Sequence, residues 1–224
     1  MLGRPPGTVL GLDEAGRGSW LGPLVVGLVA VPRSSLRTVQ ATGARDSKML
    51  SPQRRETILE QLEHCAQLRF AEAPPAMIDR HVAVGRLNDL EARLFGTLAR
   101  PFAPAEARVD ACDPNARRFA AAVSRHAGPA VRVLAAHHMD ATDPVVGAAS
   151  IVAKVRRDRA IRQLATELGE EVGSGYPSDP VTVRFVRRCV DPRAPLPSWL
   201  RASWAPTRRI IDRARPRRTG VGLA

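Results

Sequence analysis

The sequence predicts an α/β fold, a mixed sheet with helices against its faces. Two apolar strand-like runs come first, strand and helix patterns then alternate, and a long helical stripe of small apolar residues follows. Thr8 to Asp13 is a short apolar run ending in two carboxylates, and Pro23 to Val31 is a second run rich in Val and Leu. Both read as strands joined by a glycine-rich connection. Ser51 is a good N-cap and Pro52 suits the first helical position, so Gln53 to His64 reads as a helix. Gln67 to Ala73 is a third strand. Helices are expected over Ala76 to Ala83 and Gly85 to Ala99, the second stopped by Pro101. Ala107 to Ala111 then reads as a strand, Pro114 to His126 as a helix and Val131 to His137 as a strand. A long helix from Asp143 to Leu168 follows, with Ala148, Ala149, Ile151, Val152 and Val155 at helical spacing as its buried stripe.

From Gly173 the composition shifts toward Pro and Arg, with helices expected at Asp179 to Val190 and Ala205 to Ala214. Residues 1–205 read as one domain that includes this helical C-terminal part, and 206–224 as a basic helix and tail. Arg184 to Ala224 carries 11 Arg against two Asp, which suits an arm that touches phosphates or a merely solvated tail.

The whole chain has 34 Lys and Arg against 22 Asp and Glu, a net charge of +12, and a field of that sign draws in polyanions. Nucleic acid is the first partner to consider; a basic surface without a dedicated ligand is the plain alternative. Only Lys48 and Lys154 among the basic residues are Lys. The three cysteines, Cys65, Cys112 and Cys189, are odd in number and far apart, which argues against a disulfide framework and a structural zinc site. Buried, inert thiols and a cytoplasmic location are expected. The apolar run Leu21 to Val31 contains Gly and Pro and is too short to span a bilayer, so no membrane is expected.

Gly11-Leu-Asp-Glu-Ala-Gly-Arg-Gly18 places two carboxylates at the end of an apolar strand, followed by a turn with two glycines. A phosphate-binding loop fits poorly, because Arg17 and Gly18 stand where Lys and Ser or Thr are needed and two acids would repel the phosphate. Adjacent strand residues point to opposite faces, so Asp13 and Glu14 serve one site only where the strand ends or bends. Gly16 and Gly18 supply that bend and permit close approach of a ligand to the backbone.

These residues, followed by Gly22-Pro23, resemble the signature of type 2 ribonuclease H. The resemblance continues in order through Asp46-Ser-Lys48, Val109-Asp110, Asp140, Ala148 to Lys154 with Arg157-Asp158, and Gly173-Ser-Gly-Tyr-Pro-Ser-Asp-Pro180. It spans about residues 8 to 205, and its last block is more similar to the archaeal and eukaryotic branch. The resemblance implies a ribonuclease H-like fold, a mixed five-stranded sheet flanked by helices with a helical C-terminal extension. It implies that Asp13, Glu14, Asp110 and Asp140 form the active site and bind two divalent ions, and that Gly16, Arg17, Gly18 and Tyr176 read the substrate. Lys48 is expected to touch a phosphate, and Lys154 and Asp158 to stand behind the acids.

Clustered carboxylates repel in a partly dry site and so take up protons or a cation. Oxygen donors favour hard ions, Mg²⁺ or Mn²⁺. Each residue also has a plainer reading. Asp110 could cap the helix near Pro114, Asp140 could be a turn residue, Asp158 could pair with Lys154 four residues earlier, and Tyr176 could be a buried anchor beside Pro177. Before Asp140 the chain reads His137-His138-Met139, where the family pattern has Lys at the middle position. His138 weakens the local positive field, and a zinc site at the two histidines lacks a third ligand nearby.

The expected activity is hydrolysis of the RNA strand of RNA/DNA hybrids and cutting 5' to ribonucleotides embedded in duplex DNA, by a monomer. The rivals are a non-catalytic basic nucleic-acid-binding protein and another nuclease on the same kind of fold, such as a junction resolvase.

Overall fold

A computed structural model describes residues 7–44, 50–103, 105–191 and 194–214. Its five strands are β1 (Thr8–Ala15), β2 (Leu24–Pro32), β3 (Gln67–Ala73), β4 (Ala105–Asp110) and β5 (Val131–Ala136). They form one sheet in the order β3-β2-β1-β4-β5. The first three pair antiparallel, and β1, β4 and β5 pair parallel, the mixed sheet that the sequence predicts.

The helices are α1 (Leu36–Ala41), α2 (Pro52–Cys65), α3 (Pro75–Ala83), α4 (Leu87–Ala99), α5 (Ala116–Ala127), α6 (Met139–Thr142), α7 (Pro144–Leu168), α8 (Pro180–Cys189) and α9 (Ala205–Ala214). Ser51 caps α2 through Arg54 N–H and Asp143 caps α7 through Val145 and Val146 N–H, so both starts follow from sequence. The shorter α1 and α6 carry no strong periodic signal and are additions to the sequence reading. The helix expected from Pro114 begins instead at Ala116, where Asn115 is the N-cap and accepts from Arg118 N–H.

Strand alternation sorts the core into two layers. Leu10, Leu12, Val26 and Leu28 pack with Phe95 of α4 and Phe119 of α5, whose rings meet edge to face at 5.5 Å. Val9, Val29 and Val31 pack on the opposite face with Ile58 of α2 and with Val145, Ala149 and Val152 of α7. The long helix lies directly on the sheet because Gly11 and Gly27 have no side chains. A Cβ on Gly11 would fall 2.1 Å from the Val145 carbonyl oxygen, and one on Gly27 2.4 Å from that of Ala149. This contact sets the height of the α7 residues that face the end of β1.

A third cluster joins the C-terminal segment to the domain: Trp20, Leu21, Ile161, Phe185, Leu200 and Ile211. The basic helix α9 thus contributes Ile211 to a core. The segment 215–224 and Lys48, with the Asp46-Ser-Lys48 block, lie outside the described residues. Among the described residues no helix is long and apolar enough to cross a membrane.

Candidate active site

Pairing of β1 with β4 stops at Leu12, whereas pairing with β2 continues to Ala15. The sheet opens on one side of β1 at Asp13, beside the end of β4 at Asp110. Asp13 follows the parity of Val9 and Gly11 and faces α7, while Glu14 follows Leu10 and Leu12 and faces α4. Both still line one cleft with Gly16, Arg17, Gly18, Asp110, Asp140, Ser150, Lys154 and Tyr176.

Asp13, Asp110 and Asp140 each offer a carboxylate oxygen within 4.8 Å of the others. Asp13 and Asp140 are both 5% exposed. Asp140 reaches the cluster from α6, whose first residue follows His138 in the left-handed region at φ 57°. Asp110 Oδ1 accepts the Met139 N–H at 2.8 Å, so it anchors this turn and does not cap α5. His137 Nδ1 lies 3.1 Å from the Ala111 carbonyl oxygen, and neither His137 nor His138 belongs to the carboxylate group.

Burial raises the Asp13 carboxyl to a pKa of about 7, against a Ser150 hydrogen bond that lowers it and with Asp110 and Asp140 adding repulsion. Glu14 is pushed well above the usual range, by burial first and then by Asp13 and Glu91. Its Oε2 is buried without a hydrogen-bond partner. Carboxylate oxygens packed this closely in a buried cleft fit a hard divalent cation. Asp13, Asp110 and Asp140 meet closely enough to hold it, and Glu14, outside that group of three, lines the same cleft.

Tyr176 is half-buried, and its hydroxyl oxygen accepts the Gly16 N–H at 3.1 Å. The Arg157 guanidinium lies 4.2 Å from the ring centroid, so one face of the ring is already covered. Arg157 itself is 2% exposed and donates to Ser19 Oγ and to the Ser174 carbonyl. Lys154 lines the cleft, whereas Asp158 ion-pairs with Arg55 at 2.9 Å and with Arg157 at 3.4 Å. The Arg17 side chain turns away toward α4, where it meets Glu91 and Asn88.

Ser150, Arg157, Glu91, Asn88 and Arg201 support the site, and the sequence alone assigns none of them a role in it. Arg157 and Ser150 lie inside the resembling blocks. The other three act across long sequence separations and carry no local signal. The cysteines are half-buried rather than buried, and all three are free thiols; Cys112 donates to Glu91 Oε2 at 2.9 Å.

A profile of the family described as Ribonuclease HII matches residues 10–207. The chain is 40% identical over 205 residues to the ribonuclease HII of Methanocella arvoryzae, covering 91% of this chain and 92% of that one. It is 42% identical over 203 residues to that of Cenarchaeum symbiosum, covering 90% and 97%. The crystal structure of ribonuclease H2 from Pyrococcus horikoshii OT3 superposes with a TM-score of 0.84 at 34% identity, covering 92% of this chain and 98% of that one. A profile match over most of the length and relatives of this identity at nearly full coverage place the chain in the ribonuclease HII family.

Proposed function

We propose that the protein is a monomeric endoribonuclease that hydrolyses the RNA strand of RNA/DNA hybrids and cuts 5' to single ribonucleotides in duplex DNA, leaving 3'-hydroxyl and 5'-phosphate ends. The observation that carries the chemistry is the meeting of Asp13, Asp110 and Asp140 within 4.8 Å, with Glu14 in the same cleft. These four carboxylates would hold two Mg²⁺ or Mn²⁺ ions. When bound, such a pair supplies activation of a water on one side of the phosphodiester and charge stabilisation of the leaving 3'-oxygen on the other.

The chain's own groups place the substrate. Lys154 lines the cleft beside the carboxylates. Gly18 is exposed, its φ is not in the left-handed region, and a Cβ there would meet nothing within 4 Å. The fold therefore does not require glycine at this position, and the bare backbone leaves room for a ligand to lie against it. A 2'-hydroxyl distinguishes RNA from DNA and is small enough to be read by backbone groups of Gly16 to Gly18. Gly16 is different, since its φ of 86° and a Cβ 2.8 Å from the Pro23 carbonyl oxygen demand glycine for the turn itself.

The test is cleavage of a duplex carrying one ribonucleotide, with an all-DNA duplex as control and Mg²⁺ or Mn²⁺ supplied. One cut 5' to the ribonucleotide, abolished in Asp13→Asn, is expected. Equal cutting of both duplexes would favour a different nuclease activity on this fold, and binding without cutting would favour a non-catalytic role.

A further inference from the structure

The Gly16 to Gly18 turn is braced by a chain of side chains that lies outside the acidic cluster. Arg17 ion-pairs with Glu91 of α4 and donates to Asn88 Oδ1 at 2.7 Å. Asn88 Nδ2 donates to Asp113 Oδ2 at 2.7 Å, which fixes the orientation of its amide toward Arg17. The backbone end of Arg17 is held as well: Arg201, 1% exposed, donates from Nη1 to the Arg17 carbonyl and from Nε to the Gly22 carbonyl, both at 3.0 Å. With Tyr176 accepting from Gly16, the turn is fixed on three sides and open only at Gly18.

Glu91 is the costly member, a carboxylate at 0% exposure on the apolar face that also carries Phe95. A buried ion pair seldom adds much stability over an apolar replacement, but it does specify one arrangement, because moving either partner strands the other charge. What this pair specifies is the position of Arg17 and hence of the backbone on either side of it.

We propose that Glu91, assisted by Asn88, is a positioning residue for ribonucleotide recognition, clamping Arg17 so that the Gly16 to Gly18 backbone is preset to meet the sugar. The inference rests on the reading that this backbone meets the 2'-hydroxyl. Arg17 then works as a strut into the protein, and its charge is spent on Glu91 rather than on a phosphate.

The experiment measures dissociation constants in Ca²⁺ for a duplex with one ribonucleotide and for the all-DNA duplex of the same sequence, with melting temperatures alongside. The wild type is expected to prefer the ribonucleotide duplex. Glu91→Gln and Arg17→Ala should each shrink that preference by about tenfold, the effect of losing one charge-assisted hydrogen bond. The double variant should shrink it no further, since the two residues act as one unit. Should Glu91→Gln fail to fold, the half-buried Asn88→Ala tests the same clamp and should shrink the preference in the same direction. An unchanged preference in Glu91→Gln overturns the proposal. So does an equal loss on both duplexes, which is the signature of a merely structural residue, or of a phosphate contact if it occurs in Arg17→Ala alone. A wild type without preference defeats the underlying ribonucleotide reading, and this inference with it.

Discussion

Asp110 at the end of β4 accepts the backbone N–H of Met139 at 2.8 Å, so one acid of the carboxylate cluster holds the turn that presents the next, Asp140. Asp110 therefore has two separable jobs, a negative charge for the cluster and an acceptor for the turn. Asp110→Asn keeps an acceptor but loses the charge, and should retain the melting temperature while losing activity by orders of magnitude. Asp110→Ala should lose activity and also about 1 kcal/mol of stability through the unpaired Met139 N–H. Identical melting curves for the two variants would separate Asp110 from the turn.

Two glycines on either side of the acidic pair should respond in opposite ways. Gly11→Ala drives a methyl into the Val145 backbone and should destabilise the fold by about 3 kcal/mol, the upper end for overpacking, because neither β1 nor α7 can move freely. Gly18→Ala meets open space, so its melting temperature should match wild type while cleavage at a single ribonucleotide falls. Denaturation curves with paired cleavage assays check both. A Gly18→Ala enzyme of normal activity would remove the ligand explanation for that glycine.

Asp179 caps α8 and should make part of the stability depend on acid pH. Its carboxyl lies below the usual range, first because Ser174 N–H donates to it, then because Val181 N–H and the Ser174 and Thr182 side chains help, against a burial cost. With a depressed folded pKa the unfolded chain takes up the proton first. The contribution is full above the unfolded Asp value of about 3.9 and is lost as pH falls through the folded one. The melting-temperature gap between wild type and Asp179→Asn should be open at pH 7 and close in acid below that range. A gap as wide in acid as at pH 7 would contradict the assignment.

What the sequence makes legible here is local. Gln67 to Ala73 reads as a strand from its own composition, and Ser51 and Asp143 announce α2 and α7 by accepting from N–H groups two or three residues further on. The acids Asp13 and Glu14 stand out because carboxylates at the end of an apolar strand are expensive without a purpose. Glu91 does not stand out, since a Glu in an amphipathic helix is ordinary until Arg17, 74 residues away, is placed against it. Arg201 is hidden for the same reason: it is one of many arginines in the C-terminal part, and only the fold shows that it is buried. The inward turn of the Arg17 side chain is likewise a tertiary fact, invisible in Gly16-Arg17-Gly18 as a string.

Tyr176 is the residue where ring and hydroxyl make different predictions. The hydroxyl oxygen accepts the Gly16 N–H at 3.1 Å, and the ring has the Arg157 guanidinium on one face at 4.2 Å. Tyr176 lines the cleft, and on the proposed reading its ring packs on a sugar, with the best fit where no 2'-oxygen intrudes, at the deoxyribose following a single ribonucleotide. An isolated ribonucleotide offers one 2'-hydroxyl and one such junction, whereas a continuous RNA strand offers many registers. Tyr176→Ala loses both contacts and should cost roughly ten- to a hundredfold on the single-ribonucleotide duplex, from about 1 to 3 kcal/mol of aromatic contact, and less on a long hybrid. Tyr176→Phe keeps the ring but leaves the Gly16 N–H without its acceptor. It should therefore fall between wild type and Ala, with its loss expressed in the same substrate ratio, because the turn it loosens is the one proposed to meet the 2'-hydroxyl. Steady-state kcat/KM on both substrates, with melting temperatures to exclude unfolding, decides the matter. Equal losses on the two substrates would make Tyr176 a general binding residue and detach it from junction reading.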